Sequence, residues 1–218
     1  MTDMPLYHKI QSIWKRTERG VFMPGEWARP EIGFLAPMQW EWTEKIDGTN
    51  IRIHVSPEHD GIEIGGRTDR AQIPADLVNN IHAMDLPEKA ASLKGPVVLY
   101  GEGYGAKIQK GGGNYRPDQS FVLFDVRVGD YWLEQRDVED VASTLNLRCA
   151  PVVMVGTIQD GIDRVGTVEG VRSAWGDFRA EGLVGRPLVP LFNRKRERII
   201  CKVKSKDFDR LRNENITY

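Results

Sequence analysis

A lysine that could act as a nucleophile lies in the heptapeptide at residues 44–50, which reads EKIDGTN. Large and polar side chains alternate before it, over residues 40–44, and again after it, over residues 51–55. Two such runs around an Asp-Gly pair predict a strand, a tight turn and a second strand. Lys45 would then stand at the end of a rigid strand, although an ordinary hairpin with a surface lysine fits the heptapeptide equally well.

A lysine attacks an electrophile only as the free amine, so burial or neighbouring cations must lower its pKa. Lys202 and Lys204 form a second cationic feature, because residues two apart on a strand point to the same face. Like charges side by side cost free energy unless something anionic lies between them. The pair is therefore the most informative feature after Lys45, and it indicates a face that holds an anion.

Three further residues have neighbours that suit nucleotide binding. Arg67 follows two glycines, which let backbone and phosphate approach closely. Glu102 stands between glycines after the apolar run 97–100, and a carboxylate there could hydrogen-bond a ribose or hold a metal. Phe124 lies in the apolar run 121–126 and could stack on a purine. Taken singly, each is explained as well or better by a solvated arginine, a mobile loop or a core phenylalanine.

Short apolar runs between glycine-rich turns predict the elements that position these residues. Strict alternation in 121–126 places residues 122, 124 and 126 on one face. Residues 1–39, broken by prolines, are predicted to form an arm packed over a sheet. Strands are predicted at 62–64, 97–100, 121–126, 152–155, 180–187 and 199–204, and turns at 57–61 and 194–198. Helices are predicted at 75–93, at 137–147 with Asp137 as the N-cap, and at 160–175 with an end at Gly176.

The 218 residues predict a single domain, 1–218, that can bury a proper core. A hydrophobic content of 40% and a charged content of 28% are typical of a soluble globular protein. With a net charge of -1, binding of nucleic acid would need a local basic surface. Two distant cysteines predict free thiols in a reducing compartment. No signal peptide or membrane-length apolar run is found, which predicts a cytoplasmic protein (host cytoplasm if viral) without a membrane partner.

Taken in order, these motifs resemble those of the covalent nucleotidyltransferase superfamily of ATP-dependent RNA and DNA ligases and mRNA capping enzymes. Six parts match between residues 44 and 204: Lys45-Ile46-Asp47-Gly48, Arg67, Tyr100-Gly101-Glu102-Gly103, Phe124-Asp125, Glu181-Gly182 and Lys202-Val203-Lys204. Six motifs in order are far more specific than any one of them. The extended blocks at 44–50, 67–68, 108–110 and 180–182 are most similar to the nick-sealing RNA ligases of phage and of RNA editing.

The resemblance implies an α+β fold of antiparallel sheets flanked by helices, of the ATP-grasp-like nucleotidyltransferase type, with the nucleotide between sheets. It implies that Lys45 attacks the α-phosphate of ATP to form lysyl-AMP, that Glu102 binds the ribose and that Phe124 stacks on adenine. Lys202 and Lys204 are the implied catalytic cations. The implied nucleotide-binding residues are Glu44, Arg67, Glu102, Phe124, Glu181 and Arg186, and the implied ligands of Mg²⁺ are Glu181 and Asp47. Phosphoryl transfer needs positioning and positive charge above all, which agrees with these residue types.

Two features depart from the nick-sealing RNA ligases. Arg186 stands where those enzymes have a lysine, and arginine can clamp a phosphate but cannot shuttle a proton. Residues 206–218 leave no room for an OB-fold or another C-terminal domain, so we expect a stand-alone catalytic domain. Its grip on RNA ends or a nicked duplex would then come from residues 1–39, from its own basic loops or from a partner protein.

Three alternatives remain. A DNA ligase would use the same chemistry on another substrate. A capping guanylyltransferase is disfavoured by its GTP specificity and its OB-fold. A non-catalytic module that binds nucleotides or RNA ends belongs to a different class, and the set of intact residues argues against it: Lys45, Glu102, Glu181, Lys202 and Lys204.

Overall fold

A computed structural model describes residues 4–56, 58 and 61–218. The strands are β1 (Gln11–Ser12), β2 (Trp14–Arg16), β3 (Phe22–Trp27), β4 (Trp40–Glu44), β5 (Thr49–Val55), β6 (Ile62–Gly66), β7 (Val97–Gly105), β8 (Gln119–Val128), β9 (Tyr131–Trp132), β10 (Arg148–Cys149), β11 (Val152–Gly156), β12 (Gly182–Pro187) and β13 (Cys201–Lys204). The helices are α1 (Pro30–Phe34), α2 (Ala75–His82), α3 (Leu86–Lys89), α4 (Gln135–Leu145), α5 (Ile158–Gly166) and α6 (Ser205–Asn213), with 3-10 turns at Ala90–Ser92 and Gly112–Asn114. The predicted turn at 57–61 falls largely outside the described residues.

The described residues form two compact units. Unit 1 contains the described residues up to Tyr7 and those from Asp47 to Ala150. Unit 2 contains His8–Ile46 and Pro151–Tyr218. Each unit has its own sheet and its own apolar core, so the predicted α+β class with mainly antiparallel sheets flanked by helices is confirmed.

Unit 1 is built on a sheet in the order β10-β8-β7-β5-β6, with β9 paired to β8. The pairs are antiparallel except β10 with β8. One face of this sheet is apolar because β5, β7 and β8 alternate, and α2 and α4 cover the core with one apolar stripe each. Leu77 and Ile81 of α2 and Val138 and Leu145 of α4 are fully buried in this core.

Unit 2 is built on a sheet in the order β1-β13-β12-β4-β11, accompanied by the β2–β3 ribbon. Trp40 and Trp42 of β4 are fully buried and pack with apolar side chains of α5 and α6. Residues 11–12, which we predicted within an arm, instead enter this sheet as β1, parallel to β13. None of the helices in the described part of the chain is long and apolar enough to cross a membrane.

The heptapeptide does not form a hairpin, and that prediction is wrong. Both predicted strands exist, but β4 pairs with β11 and β12 in unit 2, whereas β5 pairs with β6 and β7 in unit 1. Each strand finds a better partner than its neighbour in sequence. The Asp-Gly pair is therefore the connection between two sheets.

The helix predicted at 160–175 is displaced. Helix α5 begins at Ile158 because Thr157 and Asp160 form a capping box, in which each residue's side chain accepts from the other's backbone N–H. It ends at Gly166, whose carbonyl accepts a hydrogen bond from the Tyr218 hydroxyl at 2.6 Å. In α4 the N-cap is Glu134, and Asp137 lies in the first turn instead of capping it.

Candidate active site

Lys45 extends from the end of a strand that is paired on both sides. The backbone N–H of Glu44 donates to Pro151 O and that of Lys45 donates to Gly182 O, each at 2.9 Å. These bonds continue the ladders from β4 toward β11 and β12 by one residue. The predicted rigid setting of Lys45 is thus confirmed, although the strand belongs to a different sheet from the one that follows it.

Glu181 lies between two lysines. Its carboxylate accepts hydrogen bonds from Lys45 Nζ, at 2.6 Å, and from Lys204 Nζ. All three side chains are mostly buried, with 13–20% of their surface exposed. Burial raises the pKa of the Glu181 carboxyl, but the charges and hydrogen bonds of Lys45 and Lys204 outweigh it, so the pKa is lowered. The anion that we expected beside the paired lysines is, in the protein itself, a carboxylate.

Gly182 explains why a glycine follows this glutamate. Its φ of +154° lies near the limit of the region that favours glycine, and a Cβ would stand 1.9 Å from the carbonyl oxygen of Val203. Glycine therefore lets β12 lie against β13 immediately after Glu181. The backbone of Glu181 is fixed in turn, because its carbonyl accepts from Ser205 N at 2.9 Å.

The pairing of β12 with β13 places the other predicted cations of unit 2 on the sheet face that carries Lys204. Lys204 lies opposite Gly182, and Lys202 lies opposite Val184. Arg186 is two residues beyond Val184 and therefore shares its face. Lys202, Lys204 and Arg186 are all half-buried. The same-face placement of the two lysines is confirmed.

Glu44 faces the opposite way from Lys45. Its carboxylate accepts hydrogen bonds from Ser173 Oγ at 2.6 Å and Ala174 N at 2.8 Å, and the side chain is almost fully buried. Burial raises the pKa of Glu44, and the two hydrogen bonds offset only part of that effect. Glu44 thus braces the strand end that carries Lys45; its binding to a nucleotide stays a prediction. Ser173 could not be found from sequence, because the segment around it was predicted as helix.

In unit 1, Glu102 lies within β7 and not at its end. Strand β7 continues through the glycine-rich stretch because β5 and β8 flank it, with Asn50 and Val122 opposite Glu102. Gly48 of the heptapeptide borders the same place. A Cβ on Gly48 would stand 2.2 Å from Gly103 O and 2.8 Å from Glu102 Cγ. The glycine after Asp47 therefore leaves the space in which the Glu102 side chain lies.

Phe124 occupies an irregular position in β8. Tyr100 pairs with Asp125 and Gly101 pairs with Leu123, so Phe124 is an extra residue on β8. This bulge reverses the alternation, and Leu123 and Val126 both point into the core, contrary to the strict alternation we predicted. Phe124 is half-buried, and the ring of Tyr7 packs edge-on against it at a centroid distance of 5.1 Å.

Arg67 is exposed just beyond β6 in unit 1, on a turn braced by a buried arginine. The Arg52 side chain donates to Gly66 O and to an Asp69 carboxylate oxygen, each at 2.8 Å. The predicted metal residue Asp47 also lies in unit 1, where its backbone N–H donates to the Tyr115 hydroxyl at 3.2 Å. No local pattern marks Arg52 or Tyr115, because their partners lie far along the chain or on the backbone.

Within unit 2 the structure thus brings together Lys45, Glu181 and Lys204, with Lys202 and Arg186 on the sheet face of Lys204. Asp47, Arg67, Glu102 and Phe124 belong to unit 1. Across residues 4–56, 58 and 61–218, no three His, Cys, Asp or Glu side chains form a group that could hold a metal ion. Two carboxylates, as predicted at Glu181 and Asp47, are a donor set that suits an ion which takes phosphate oxygens as further ligands.

Comparison with solved structures supports the fold. A Naegleria gruberi RNA ligase mutant with ATP and Mn matches with a TM-score of 0.64 and 19% identity, over 82% of this chain and 53% of that one. A second mutant with AMP and Mn gives a TM-score of 0.63 and 19% identity over the same shares. The ligase with pyrophosphate gives 0.64 and 19%, over 96% and 64%. The chain thus spans about half to two thirds of the length of these proteins, and at this identity they establish the shared fold alone.

Sequence comparison with curated proteins gave no match. Comparison with protein families gave one, to the RNA ligase family over residues 38–204. This range includes every residue that we predicted for the site. Because the match covers well over half of the 218 residues, the chain belongs to the RNA ligase family.

Proposed function

We propose that the protein is an ATP-dependent RNA ligase that works through a lysyl-AMP intermediate. The observation that carries the proposal is the cluster of Lys45, Glu181 and Lys204 in a chain of the RNA ligase family. A mostly buried lysine on a rigid strand end, next to a second lysine and a carboxylate, is an arrangement suited to phosphoryl transfer.

The reaction has three steps. Lys45 Nζ, having released a proton to solvent, attacks the α-phosphorus of ATP; a P–N bond forms, a P–O bond breaks and pyrophosphate leaves. A 5′-phosphate oxygen of the RNA then attacks the same phosphorus and regenerates the lysine. Finally the 3′-OH attacks the activated 5′-phosphate, which forms the phosphodiester and releases AMP. Each step moves a phosphoryl group and changes no oxidation state.

The residues of unit 2 have complementary roles. Lys202, Lys204 and Arg186 stabilise the negative charge that develops on the phosphate oxygens. Glu181 holds Lys45 and Lys204 in place before the nucleotide arrives. A divalent cation, for which we propose Mg²⁺ with Glu181 and Asp47 as ligands, would neutralise phosphate charge when bound.

The residues of unit 1 bind the rest of the nucleotide. We assign Glu102 to the ribose hydroxyls, Phe124 to the adenine ring and Arg67 to the phosphates. RNA ends or a nicked duplex are the proposed second substrate, with a partner protein as a possible source of further grip. A cytoplasmic location is part of the same proposal.

The direct test is covalent labelling. The protein is incubated with each α-labelled NTP and a divalent cation, denatured, and examined for retained label. We expect acid-labile labelling by ATP that is lost in Lys45→Ala and kept in Lys206→Ala, a matched control on the exposed side of α6. Equal labelling of Lys45→Ala and wild type would show that the nucleophile is misassigned. A preference for GTP would move the protein to the capping enzymes.

Two other functions remain distinguishable. A DNA ligase would label in the same way but seal all-DNA nicks as fast as nicks with ribonucleotides. A non-catalytic module would bind ATP or RNA ends without retaining label after denaturation. The hydrogen-bonded lysine–carboxylate cluster favours the catalytic interpretation, since a decayed site has no need to keep three ionisable groups mostly buried.

A further inference from the structure

Unit 2 contains a pocket that none of the residues assigned above lines. Its volume is about 180 Å³, and its walls come from the segment at His8–Gln11, from the start of α1 and from residues 197–200. These are parts of the N-terminal segment and of the basic loop that precedes β13. The pocket is thus built from two regions that sequence analysis singled out as possible sources of substrate grip.

Positive charge dominates the pocket and its rim. Lys9, Arg29 and Arg198 line it together with His8, and Glu31 and Glu197 are its acidic members. Arg194, Lys195 and Arg196, all exposed, immediately precede the lining residues 197–200. Three lysines and arginines therefore line the pocket beside two carboxylates, and three more cations adjoin the lining in sequence, in a chain whose net charge is -1. Such local asymmetry is the electrostatic signature of an anion-binding surface.

The basic loop is ordered by its own hydrogen bonds. The side-chain oxygen of Asn193 accepts from the backbone N–H groups of Lys195 and Glu197, at 2.9 and 3.0 Å. Arg196 takes a left-handed conformation with a φ of 59°. Arg29 Nη1 donates to Glu197 Oε2 at 2.7 Å, which ties the loop to the start of α1. The cations are thus presented by a defined loop, so less conformational entropy is lost when they bind a ligand.

The pocket adjoins the strand that carries the catalytic lysines. Ile199 and Ile200 line the pocket, and β13 begins at the next residue. On the other wall, Gln11 lines the pocket while it pairs with Cys201, and Ser12 pairs with Lys202. At a rise of about 3.3 Å per residue, Lys202 lies roughly 7 Å along the strand from Ile200.

We propose that this basic pocket binds backbone phosphates of the RNA strand whose end is sealed. The inference rests on the proposed function, since it assigns the pocket to the substrate of that reaction. Lys and Arg contacts to phosphate are independent of sequence and give a strong dependence on salt. The pocket would therefore supply the grip on RNA that the nucleotide-binding residues themselves do not provide.

The test compares two double variants with equal charge change. Lys9→Gln with Arg198→Gln removes two cations from the pocket. Arg164→Gln with Lys206→Gln removes two exposed cations from α5 and α6 of the same unit and serves as the control. Binding of a nicked RNA duplex is measured without ATP at several salt concentrations, and lysyl-AMP formation is measured without RNA.

We expect the pocket variant to bind RNA about tenfold more weakly and to lower the slope of log K against log salt by about 1–2, while labelling stays within about twofold of wild type. The control should match wild type in all three measurements. Equal RNA affinity and slope in the two variants would overturn the inference. Loss of labelling in parallel with RNA binding would also overturn it, because the pocket would then serve the nucleotide or the fold. Failure of the proposed function appears separately, as wild-type protein that retains no label.

Discussion

Glu181 carries the negative charge that lets Lys45 and Lys204 lie close together before any phosphate is bound. Without it the two ammonium groups would repel each other in a mostly buried place. In the proposed reaction the triphosphate brings a second source of negative charge, and the lysines can exchange one anionic partner for another. In this proposal the Glu181 carboxylate stabilises the lysines in the resting protein and also takes part in the site during the reaction. It therefore has both a structural and a catalytic role.

Replacement of Glu181 by Gln should lower stability. At pH 7 we expect the free energy of unfolding to fall by about 1–3 kcal/mol, because two mostly buried ammonium groups lose an ionised partner. The folded-state pKa of Glu181 is lowered, so its contribution is present above the ordinary glutamate pKa and is lost as the pH falls through the lowered value. The difference in unfolding free energy between Glu181→Gln and wild type should therefore shrink over that acidic range. Urea unfolding at several pH values measures it.

The matched control is Glu18→Gln, which removes the same charge from an exposed position of unit 2. Its unfolding should follow wild type at every pH. If the loss of unfolding free energy in Glu181→Gln stays the same as the pH falls through the acidic range, it does not depend on the charge of the carboxylate. That result would contradict the ion-pair explanation.

The setting of Lys45 at a strand end and the shared face of Lys202 and Lys204 could be predicted from local spacing, whereas Glu181 was indicated only by the family resemblance. Ser173 could not be predicted, because its role depends on meeting Glu44, which is distant in sequence. A carboxylate or a lysine near a glycine is visible in a sequence. The partner that braces a residue from another element is decided by the tertiary fold.

At the scale of elements, the turn after Asp47 depends on close backbone approach. Gly48→Ala should lower the free energy of unfolding by about 1–3 kcal/mol, because its Cβ would meet Gly103 O and the Glu102 side chain. Gly95→Ala, where a Cβ meets nothing within 4 Å, is the control. Urea unfolding followed by circular dichroism measures both variants. Equal midpoints for Gly48→Ala and Gly95→Ala would show that the backbone near Gly48 can move away from Gly103 without loss of stability.

The bulge in β8 makes Tyr7 a candidate positioning residue for Phe124. Its ring packs edge-on against Phe124, and its hydroxyl donates to Asp125 Oδ2 at 2.8 Å. An aromatic pair is worth about 0.5–1.5 kcal/mol beyond its buried area, so Tyr7→Ala should raise the KM for ATP in the labelling reaction about 2–10-fold. Tyr7→Phe keeps the ring and should restore most of the affinity. An unchanged KM in Tyr7→Ala would exclude this role.

Helices and strands were predictable where the local sequence pattern determines them. They were not predictable where the choice between pairing partners elsewhere in the chain determines them. Strand β5 was found from its alternation and β8 from its run of apolar residues. The single-residue bulge at Phe124 was not, because nothing in the local pattern marks the extra residue that the pairing with Tyr100 and Gly101 creates. The hairpin was wrong for a related reason: an Asp-Gly pair favours a tight turn only if its two flanking strands have no better partners.

For the whole molecule, the net charge of -1 means that RNA, the proposed substrate, would have to be held by local cations. We expect a nicked duplex with ribonucleotides on the 3′-OH side to be sealed at least about tenfold faster than an all-DNA nick. The 2′-hydroxyl is what distinguishes RNA from DNA at one site, and a polar partner left unpaired costs about 1–3 kcal/mol. The measurement is the sealing rate of duplexes that differ only in the sugars beside the nick. Equal rates would replace the RNA assignment with the DNA ligase alternative.

The separation of unit 2 into two stretches of sequence has a consequence for the growing chain. Strands β5 to β8 of unit 1 emerge from the ribosome one after another and can pair as they appear. Strand β4, which leads to Lys45, pairs with β11 and β12, and all of residues 47–150 are synthesised between them. Lys45, the proposed nucleophile, is thus made before unit 1 and gains its setting only when β11 and β12 have followed. A nascent chain that lacks these strands carries Lys45 without Glu181 and Lys204, and so, in the proposed mechanism, without the charges that would make it react.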